Sequence, residues 1–519
     1  MKNVEDLYPL TPTQGGMLFQ CLRDDDPELY FEQVRGNLDG DLDLEQLRLS
    51  FQKVTSRHPA LRTAILWEGL EDPIQAVRTT VEVPFELIHR PDATEEELDA
   101  LAEGRRRNGF DLTKAPLQRI AVVDRGENRN HLIWEFHHII CDGWSAAMVL
   151  DEVLAHYNSK GSGVIRPATP FRNFLSWHAR QDNEATSAYW KELLHGISDP
   201  TPILLPPATN EPDFLAGLHI TLIEGVELET LRDFARAKRI TLNTMVQAAW
   251  SLVQSRYSGS DNVVFGVTTS GRPADLEDVE HIVGMFLTTL PMRVDTDPGQ
   301  PIGSWLQSIQ RQQLESMEYS TASLADLHRQ VGIPTGGNLF DTVLVFENYP
   351  RPEEQPDGAL KLRRKTVFEQ TNYPLTLLVG IDDGALKLVA NYNRNRFEPD
   401  AIERLMRQFH HTLTGLGCEP QAVIGEQRFF TERDVELFDS WQGPRLEFDR
   451  SATISSRMLD QAERTPDAIA LIDGDRTMTF AELVAQSRGV AAELERLGVS
   501  PETPVGVAIP RSIEMVVAV

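Results

Sequence analysis

Two neighbouring stretches of the chain have different hydrophobic periodicities. His131 to Phe136 is a short run rich in β-forming residues, which predicts a buried or half-buried strand. From Ser145 to Tyr157 the apolar residues recur with the period of an amphipathic helix. The residues between these two elements are therefore predicted to form a strand-to-helix loop. The apolar face of the helix is defined by Ala147, Leu150, Leu154 and Tyr157.

Strand and helix patterns continue along most of the chain. The first ~180 residues alternate strands and helices and predict one α/β lobe. A proline-rich loop from Asp199 to Pro212 leads into a second α/β segment, and the composition changes again after Trp441. The length of 519 residues suggests about three domains of ~150 residues. We predict a first lobe at 1–180, a second lobe at 181–435, a linker at 436–460 and a further α/β domain at 461–519.

The predicted loop carries two histidines and a carboxylate, His137, His138 and Asp142. A neutral imidazole can accept or donate a proton near pH 7 and can hold a nucleophile by a hydrogen bond. Asp142 is too acidic to be a useful base unless buried, so we expect it to fix the loop through a salt bridge. Asp142 or Ser145 can cap the helix, and Gly143 allows a turn or a close approach of substrate.

Other interpretations of these side chains are a partly buried strand end and a metal site. The two histidines lack cysteine partners and the His-x3-His spacing of helical zinc sites, so no metal is expected. Cys141 lies inside the loop and invites a nucleophile interpretation, but packing of the loop is the expected role.

Further segments of the chain, taken in order with the histidine loop, resemble the motifs of one family. That family is the condensation domains of nonribosomal peptide synthetases, relatives of chloramphenicol acetyltransferase and CoA-dependent acyltransferases. Besides the His137–Ser145 motif, the resemblance is carried by Tyr8 to Phe19, Arg57 to Thr63, Phe110 to Leu112 with Ala115 to Leu117, Phe171 to Trp177, Val267 to Pro273, Val283 to Pro291 and Phe340 to Pro350.

The resemblance implies an α/β fold of two chloramphenicol-acetyltransferase-like lobes in a V, with the histidine motif in a central tunnel. His138 is then the main catalytic residue, which positions or deprotonates an amine, while His137 points into the fold. Asp142 is expected to pair with Arg272, and Gly143 to leave a backbone N–H near a developing oxyanion. Arg62 is a further candidate for bracing the loop.

The implied reaction is amide formation between two carrier-bound thioesters. The α-amine of a downstream aminoacyl group attacks an upstream acyl or peptidyl thioester. The resemblance thus implies upstream donor and downstream acceptor peptidyl carrier proteins as partners, together with the rest of a synthetase module. Substrates are delivered on the 4'-phosphopantetheine of those carriers, and no covalently bound cofactor is expected.

The last part of the chain resembles the opening of an adenylation domain. The resemblance is carried by Ala468 to Ile472, Thr477 to Leu483 and Val505 to Ile509. The sequence ends within the apolar run Met515 to Val519, so we expect a truncated adenylation domain. It contains neither a Gly-rich phosphate loop nor a carrier serine motif, and amino-acid activation is not expected from it.

Charge and composition narrow the class of protein. The chain has 50 basic and 78 acidic residues, a net charge of -28, which disfavours nucleic acid and anionic membranes as partners. It contains no long apolar run and no signal-peptide pattern at its start. Three cysteines, Cys21, Cys141 and Cys418, without a C-x-x-C motif fit a cytoplasmic enzyme without disulfides.

Several sequence features bear on the subtype of condensation-like domain and on two alternative classes of protein. Both histidines are kept, unlike in cyclisation domains, and the segments around Arg272 and Met285 match condensation rather than epimerisation domains. One alternative is a CoA-dependent acyltransferase, against which the adenylation-like tail argues. The other is a noncatalytic docking module, against which the intact His138, Asp142 and Gly143 argue.

Overall fold

The structure is a computed structural model that describes residues 3–24, 26–161, 167–197, 200–206, 208, 214–333, 338–347, 358–417, 422–443, 447 and 449–519. Cys418 and the last residues of the Phe340–Pro350 motif lie outside this set. The chain forms two compact units, Met1–Arg433 and Asp434–Val519. None of the described helices is both long enough and apolar enough to span a membrane.

The secondary structure of the first unit alternates strands and helices, as the pattern predicted. The strands are β1 (Val4–Pro9), β2 (Phe31–Asp39), β3 (Thr63–Leu66), β4 (Ile74–Arg78), β5 (Phe85–His89), β6 (Gln118–Asp124), β7 (Asn130–His137), β8 (Ala216–Ile223), β9 (Asn262–Thr269), β10 (Thr288–Asp295), β11 (Thr342–Glu347), β12 (Lys361–Glu369), β13 (Leu375–Asp382) and β14 (Ala385–Asn393). The helices are α1 (Pro12–Asp24), α2 (Leu44–Arg57), α3 (Glu95–Arg106), α4 (Gly143–Asn158), α5 (Arg172–His178), α6 (Asn183–Leu193), α7 (Gly225–Lys238), α8 (Leu242–Ser258), α9 (Ile302–Glu318), α10 (Leu324–Val331) and α11 (Pro399–Leu416), followed at the boundary by α12 (Glu432–Trp441). Short 3-10 turns lie at Pro59–Arg62, His138–Ile140, Val279–His281 and Ile424–Glu426.

The sheet that carries the histidine motif has five strands in the order β12-β2-β7-β6-β5. Its pairs are antiparallel except for the parallel pair of β5 and β6. Trp134 and Phe136 of β7 are buried and pack against each other, with Phe51 of α2 beside Trp134. The edge strand β12 comes from the second half of the chain, so the sheet is completed by residues far away in sequence.

The second large sheet has six strands in the order β10-β9-β11-β13-β14-β8, with parallel pairing only around β11. Its core includes the fully buried Trp250 of α8 and Phe409 of α11, whose rings meet edge to face. Helix α8 begins at the capping residue Thr241 and ends at Gly259, whose φ of 71° is the left-handed conformation that glycine favours. A small sheet of order β1-β4-β3 completes the unit.

The predicted strand and helix around the histidine motif are both present. Strand β7 is buried along its whole length, and α4 begins at Gly143. The buried face of α4 includes Leu150, Leu154 and Tyr157, as predicted, whereas Ala147 is only half-buried. Asp142 is the helix cap, because its side chain accepts a hydrogen bond from the Ser145 N–H.

The second unit contains α13 (Ile454–Arg464), the antiparallel pair β15 (Ile469–Asp473) and β16 (Arg476–Thr479), α14 (Phe480–Arg496) and α15 (Ile513–Ala518). Thr479 and Glu482 form a capping box at the start of α14. The segment predicted as a linker, 436–460, includes the end of α12 and the start of α13. The predicted domain boundaries stay predictions, whereas the mixed α/β fold class is confirmed.

Candidate active site

The histidine motif begins where β7 leaves the sheet. A 3-10 turn over His138–Ile140 follows. Its backbone forms hydrogen bonds with two segments that come earlier in the sequence. The His138 N–H donates to the Tyr30 carbonyl oxygen at 2.8 Å, and the Ile139 carbonyl accepts from Gln14 Nε2 at 2.8 Å. Gln14 belongs to the first predicted motif, so that motif supports the turn directly.

His137 is enclosed by the protein. Its Nδ1 accepts a hydrogen bond from the Ile139 N–H at 3.2 Å, which leaves the ring hydrogen on Nε2. That nitrogen lies 3.7 Å from the Sγ of Cys21. Burial, with a smaller effect of His138, lowers the pKa of His137 to about 3. His137 is therefore a neutral side chain at pH 7 that supports the loop.

His138 is also buried, with only 5% of its surface exposed, but its ring is bonded differently. Its Nδ1 is buried and has no hydrogen-bond partner within the described part of the chain. Its Nε2 lies 3.5 Å from Glu32 Oε1 and 3.9 Å from Glu369 Oε1. These distances exceed those of a normal hydrogen bond to a carboxylate. The imidazole predicted to be catalytic is thus free to bond a reacting group.

Glu32 and Glu369 reach His138 from adjacent strands. The register of β2 and β12 places the two glutamates directly opposite each other, and Glu32 lies opposite Phe136 in the pairing of β2 with β7. One nitrogen of His138 and one oxygen of each glutamate lie within 4.8 Å of one another. Of the residues that the structure describes, this is the group whose geometry suits a metal ion. The prediction of no metal site stays a prediction.

Asp142 is the centre of a buried hydrogen-bond network. Its Oδ1 accepts from the Ser145 N–H at 2.7 Å and lies 3.4 Å from Arg272 Nη2, while its Oδ2 accepts from the Phe286 N–H at 3.1 Å. The exposed fractions of the Asp142 and Arg272 side chains are 1% and 4%. The pair expected from the family resemblance is thus close in space. The carboxylate also bonds the backbone of residues 279–286, which we call the floor segment.

Arg272 and Ser145 complete this network. Arg272 donates from Nη2 to Ser145 Oγ at 2.9 Å and from Nη1 to two backbone carbonyls of the floor segment, and its guanidinium lies 4.0 Å from the Phe286 ring centre. Ser145 Oγ also donates to the Gly284 carbonyl at 2.9 Å and is 3.1 Å from the Gly284 N–H. Burial lowers the pKa of Arg272, although Asp142 opposes this effect.

Gly143 and Cys141 flank Asp142. Gly143 is half-buried at the first position of α4, where the N–H groups have no acceptor within the helix. Cys141 is fully buried, and burial together with the nearby Asp142 raises its pKa well above the ordinary value. A thiol in that environment is not ionised near pH 7, which argues against covalent catalysis by Cys141.

Arg62 differs from the expectation. Its guanidinium bonds Glu5 at 2.8 Å and the backbone carbonyls of Arg78 and Thr79, which belong to the small sheet and its continuation. None of its hydrogen bonds among the described residues goes to the histidine loop. Arg62 therefore braces β1 against β4, and its bracing of the histidine loop stays a prediction.

Sequence reasoning missed Glu32, Glu369 and the bonding role of Ser145. No local pattern marks the two glutamates, because they are 337 positions apart in the chain and come together through the pairing of β2 with β12. The sequence indicates only a helix-capping role for Ser145, because its spacing from the histidines does not show which distant segment its hydroxyl bonds.

Comparison with known proteins identifies the family. The chain matches the family model of the condensation domain over residues 4–437 and that of the AMP-binding enzyme over residues 458–519. The chain therefore belongs to the condensation domain family and continues into the start of an AMP-binding domain. The resemblance predicted from the motifs is confirmed.

Curated relatives of the chain are peptide synthetases. A linear gramicidin synthase of Brevibacillus parabrevis is 36% identical over 530 residues, which cover 100% of this chain and 7% of the relative. A surfactin synthase of Bacillus subtilis is 28% identical over 527 residues, which cover 99% of this chain and 41% of the relative. The chain thus spans less than half of the length of both relatives.

Solved structures share the fold at low sequence identity. The nonribosomal peptide synthetase FmoA3 has a TM-score of 0.77 and 20% identity, with 100% of this chain and 55% of that chain covered. The first condensation domain of the calcium-dependent antibiotic synthetase has a TM-score of 0.68 and 19% identity, with 83% and 100% covered. These likenesses support the condensation domain fold.

Proposed function

We propose that this chain forms an amide bond between two carrier-bound substrates. The α-amine of an aminoacyl thioester on a downstream carrier attacks the carbonyl carbon of an acyl or peptidyl thioester on an upstream carrier. A C–N bond forms, the C–S bond breaks, and the 4'-phosphopantetheine thiol of the donor carrier is released. The observation that carries this proposal is the buried imidazole of His138, whose ring makes no hydrogen bond of normal length among the described residues.

Positioning and proton transfer share the catalytic work in this proposal. A free α-amino group has a pKa of about 7.7 to 8, so a fair fraction is already neutral near pH 7. Two tethered and aligned reactants gain effective molarities of about 10⁵ M or more. His138 orients the amine and accepts a proton from it as the tetrahedral intermediate forms. The same imidazolium then returns that proton to the departing thiolate.

The surrounding residues hold this geometry. Asp142 fixes the start of α4 and the floor segment at the same time, and Arg272 balances its charge. The N–H of Gly143, in the first turn of α4, is proposed to donate to the developing oxyanion. His137 keeps the preceding turn in place through its bond to the Ile139 N–H.

The experiment that tests the function follows product on the carriers. Donor and acceptor aminoacyl carrier proteins are mixed with the protein, and the carrier-bound dipeptide is measured by intact mass spectrometry. The variants are His138→Ala and, as a control, His89→Ala, which removes an exposed imidazole from the same sheet. We expect product with the wild type and His89→Ala, and a rate lower by about 10²-fold or more with His138→Ala.

Other outcomes would change the conclusion. Equal rates for the wild type and His138→Ala would mean that tethering alone drives the reaction. No product from a panel of donors and acceptors would favour a noncatalytic docking module. Product from an acyl-CoA donor, but not from an acyl carrier, would favour a CoA-dependent acyltransferase.

A further inference from the structure

The strand β8 lies at one edge of the six-stranded sheet, next to β14. Its residues, Ala216 to Ile223, include no proline and no lysine, arginine, aspartate or glutamate, and its register with β14 is regular over all eight positions. Within the described part of the chain, no backbone group of another segment bonds its outer edge. An edge of this kind is open to pairing with a further strand.

The other three free edges of the two large sheets differ from β8. The edge strand β12 carries the exposed Arg363 and an irregularity in its register with β2. The edge strand β10 contains Pro291 and Arg293, and β5 has only five residues, one of which is the exposed Glu86. Charges, proline, bulges and short length are the means by which natural proteins protect sheet edges. The edge of β8 carries none of these features and is therefore unprotected.

The exposed side chains of β8 are apolar. Leu218, Ile220 and Leu222 are 64%, 46% and 50% exposed. Alternate residues of a strand point to opposite faces, so these three side chains form one row, whereas Gly217 and Ile223 are buried on the opposite face. A row of exposed leucine and isoleucine side chains on an unprotected edge favours contact with another apolar strand.

The backbone groups of the same three residues point to the free edge. The Arg394 N–H donates to the Leu215 carbonyl at 2.7 Å, where the chain after β14 passes the start of β8. Residues that bond a neighbouring strand alternate along an antiparallel pair, so Gly217 and every second residue after it bond β14. The N–H and C=O groups of the residues between them are therefore directed outward.

A second copy of β8 matches this edge because the row is self-complementary. In an antiparallel pair with a two-fold axis at Ile220, the two copies of Ile220 lie opposite each other, and Leu218 of each copy lies opposite Leu222 of the other. Each opposed pair can exchange two backbone hydrogen bonds, because its N–H and C=O groups point outward. All three pairs place apolar side chains on the same face, where opposed side chains are in contact. An interface between identical chains requires such a self-complementary surface.

We propose that the β8 edge, formed by Leu218, Ile220 and Leu222, is an interface between two copies of this chain. The two β8 strands pair antiparallel and join the two six-stranded sheets into one. This inference does not depend on the proposed function.

Charge and area set the strength of this interface. Each chain has a net charge of -28, so two copies repel each other, although salt screens this repulsion beyond about 8 Å at physiological ionic strength. The edge itself carries no charge. One pair of strands buries less than the ~1,200 Å² of a standard interface, so the dimer is weak, with an expected Kd of about 10 to 100 μM.

The test measures the association of the full chain. Sedimentation velocity is recorded at about 1 to 300 μM protein and at about 0.15 M salt, where the charges are screened. Hydrogen exchange with mass spectrometry reports on the amides of β8 at both ends of this concentration range. The variants are Ile220→Lys and, as a control, Val226→Lys, which changes an apolar residue that is 84% exposed in α7 and lies outside the edge.

We expect the wild type and Val226→Lys to change from monomer to dimer over this range, with slower exchange in β8 at the high concentration. Ile220→Lys places two ammonium groups opposite each other at the two-fold axis and should raise the Kd by at least about tenfold. Its thermal unfolding should match that of Val226→Lys, which shows that the monomer is folded. A dimer of unchanged strength in Ile220→Lys would overturn the proposal.

An exchange of charges tests the antiparallel register. One double variant combines Leu218→Lys with Leu222→Lys, and the other combines Leu218→Glu with Leu222→Glu. Each alone should be monomeric because like charges lie opposite each other, whereas an equimolar mixture should form a heterodimer in which each lysine meets a glutamate. A mixture that stays monomeric would overturn the antiparallel pairing.

Two further outcomes would overturn the interface. A wild type that stays monomeric at every concentration, with fast exchange in β8, would mean that the edge is open but does not pair with a second copy. Slow exchange in β8 in a monomer would mean that another part of the chain covers the edge. Both outcomes leave the condensation assay unaffected, so failure of this interface is distinguishable from failure of the proposed function.

Discussion

The two ends of the histidine loop differ in how completely their polar groups are bonded. At the Asp142 end, a carboxylate, a hydroxyl and a guanidinium bond one another and the backbone of the floor segment. At the His138 end, a ring of similar burial makes no hydrogen bond of normal length among the described residues and faces two carboxylates. His138 lies four positions before Asp142, so both ends belong to one short loop.

This contrast separates the residues that hold the loop in place from the histidine that is proposed to act on the substrate. Buried polar groups in folded proteins are nearly always hydrogen-bonded, and one left without a partner costs about 1 to 3 kcal/mol. In the Asp142 network the Nε–H of Arg272 is the one buried side-chain group without a hydrogen-bond partner among the described residues, and the other bonds hold the loop against the floor segment. The His138 end retains that cost in the absence of substrate, and a bound substrate removes it.

Removal of Asp142 should destabilise the fold most strongly. In Asp142→Ala the guanidinium of Arg272 stays buried without its carboxylate, and two backbone N–H groups lose their acceptor. We expect the free energy of unfolding to fall by about 3 to 5 kcal/mol, measured by urea unfolding with tryptophan fluorescence. His138→Ala should change stability far less, since its ring forms no close bond that the fold would lose. Equal losses in the two variants would contradict the contrast.

Removal of the Ser145 hydroxyl should have an intermediate effect. In Ser145→Ala, the Gly284 N–H and the Arg272 guanidinium lose the buried hydroxyl oxygen that accepts their hydrogen bonds. The expected loss in the free energy of unfolding is about 2 kcal/mol. Ser304→Ala serves as the control, because Ser304 is exposed and bonds only the nearby Pro301 carbonyl among the described residues. If Ser145→Ala lost no more free energy of unfolding than Ser304→Ala, the buried hydrogen bonds of Ser145 would not contribute to stability as expected.

The smallest effect concerns His137 and pH. Its folded pKa of about 3 lies below the ordinary value of 6.5, so the unfolded chain binds the additional proton and stability falls as pH decreases from above 6.5 towards 3. Between pH 7.5 and 5.5 this histidine should contribute about 1.4 kcal/mol of that fall.

The measurement compares urea unfolding at the two pH values. His137→Gln should lose about 1.4 kcal/mol less than the wild type between pH 7.5 and 5.5. His89→Gln changes an exposed ring and should follow the wild type. The same pH dependence in His137→Gln as in the wild type would mean that His137 is protonated in the folded protein and does not belong to the neutral support of the loop.

The parts of the fold that depend on local pattern could be predicted from the sequence. The periodicity of apolar residues changes over a few positions, and this change predicts the β7 strand and the α4 helix. The pairing of Asp142 with Arg272 was expected only through the family resemblance, since 130 residues separate the two. The structure places their charged groups 3.4 Å apart.

Long-range pairing accounts for what the sequence did not reveal. Glu32 and Glu369 have no local signature, because a glutamate in a strand is usually a solvent-facing residue. Only the registry of β12 on β2 brings them to one place, and a pattern of alternating residues does not specify which strand becomes a neighbour. The same reason applies to Arg62, which we expect from the resemblance to brace the histidine loop. The pairing of β1 with β4 places Glu5 and the Arg78 carbonyl beside its guanidinium, and these are the groups that it bonds.

The position of β12 has a consequence for synthesis on the ribosome. Strand β2 ends at Asp39, whereas the strand that covers its outer edge begins at Lys361. At a translation speed of about 5–20 residues per second, that edge stays uncovered for roughly 16 to 64 seconds after β2 has been made. An unpaired strand edge is a template for association with other chains. The same late segment therefore both covers this edge of the sheet and brings Glu369 beside Glu32.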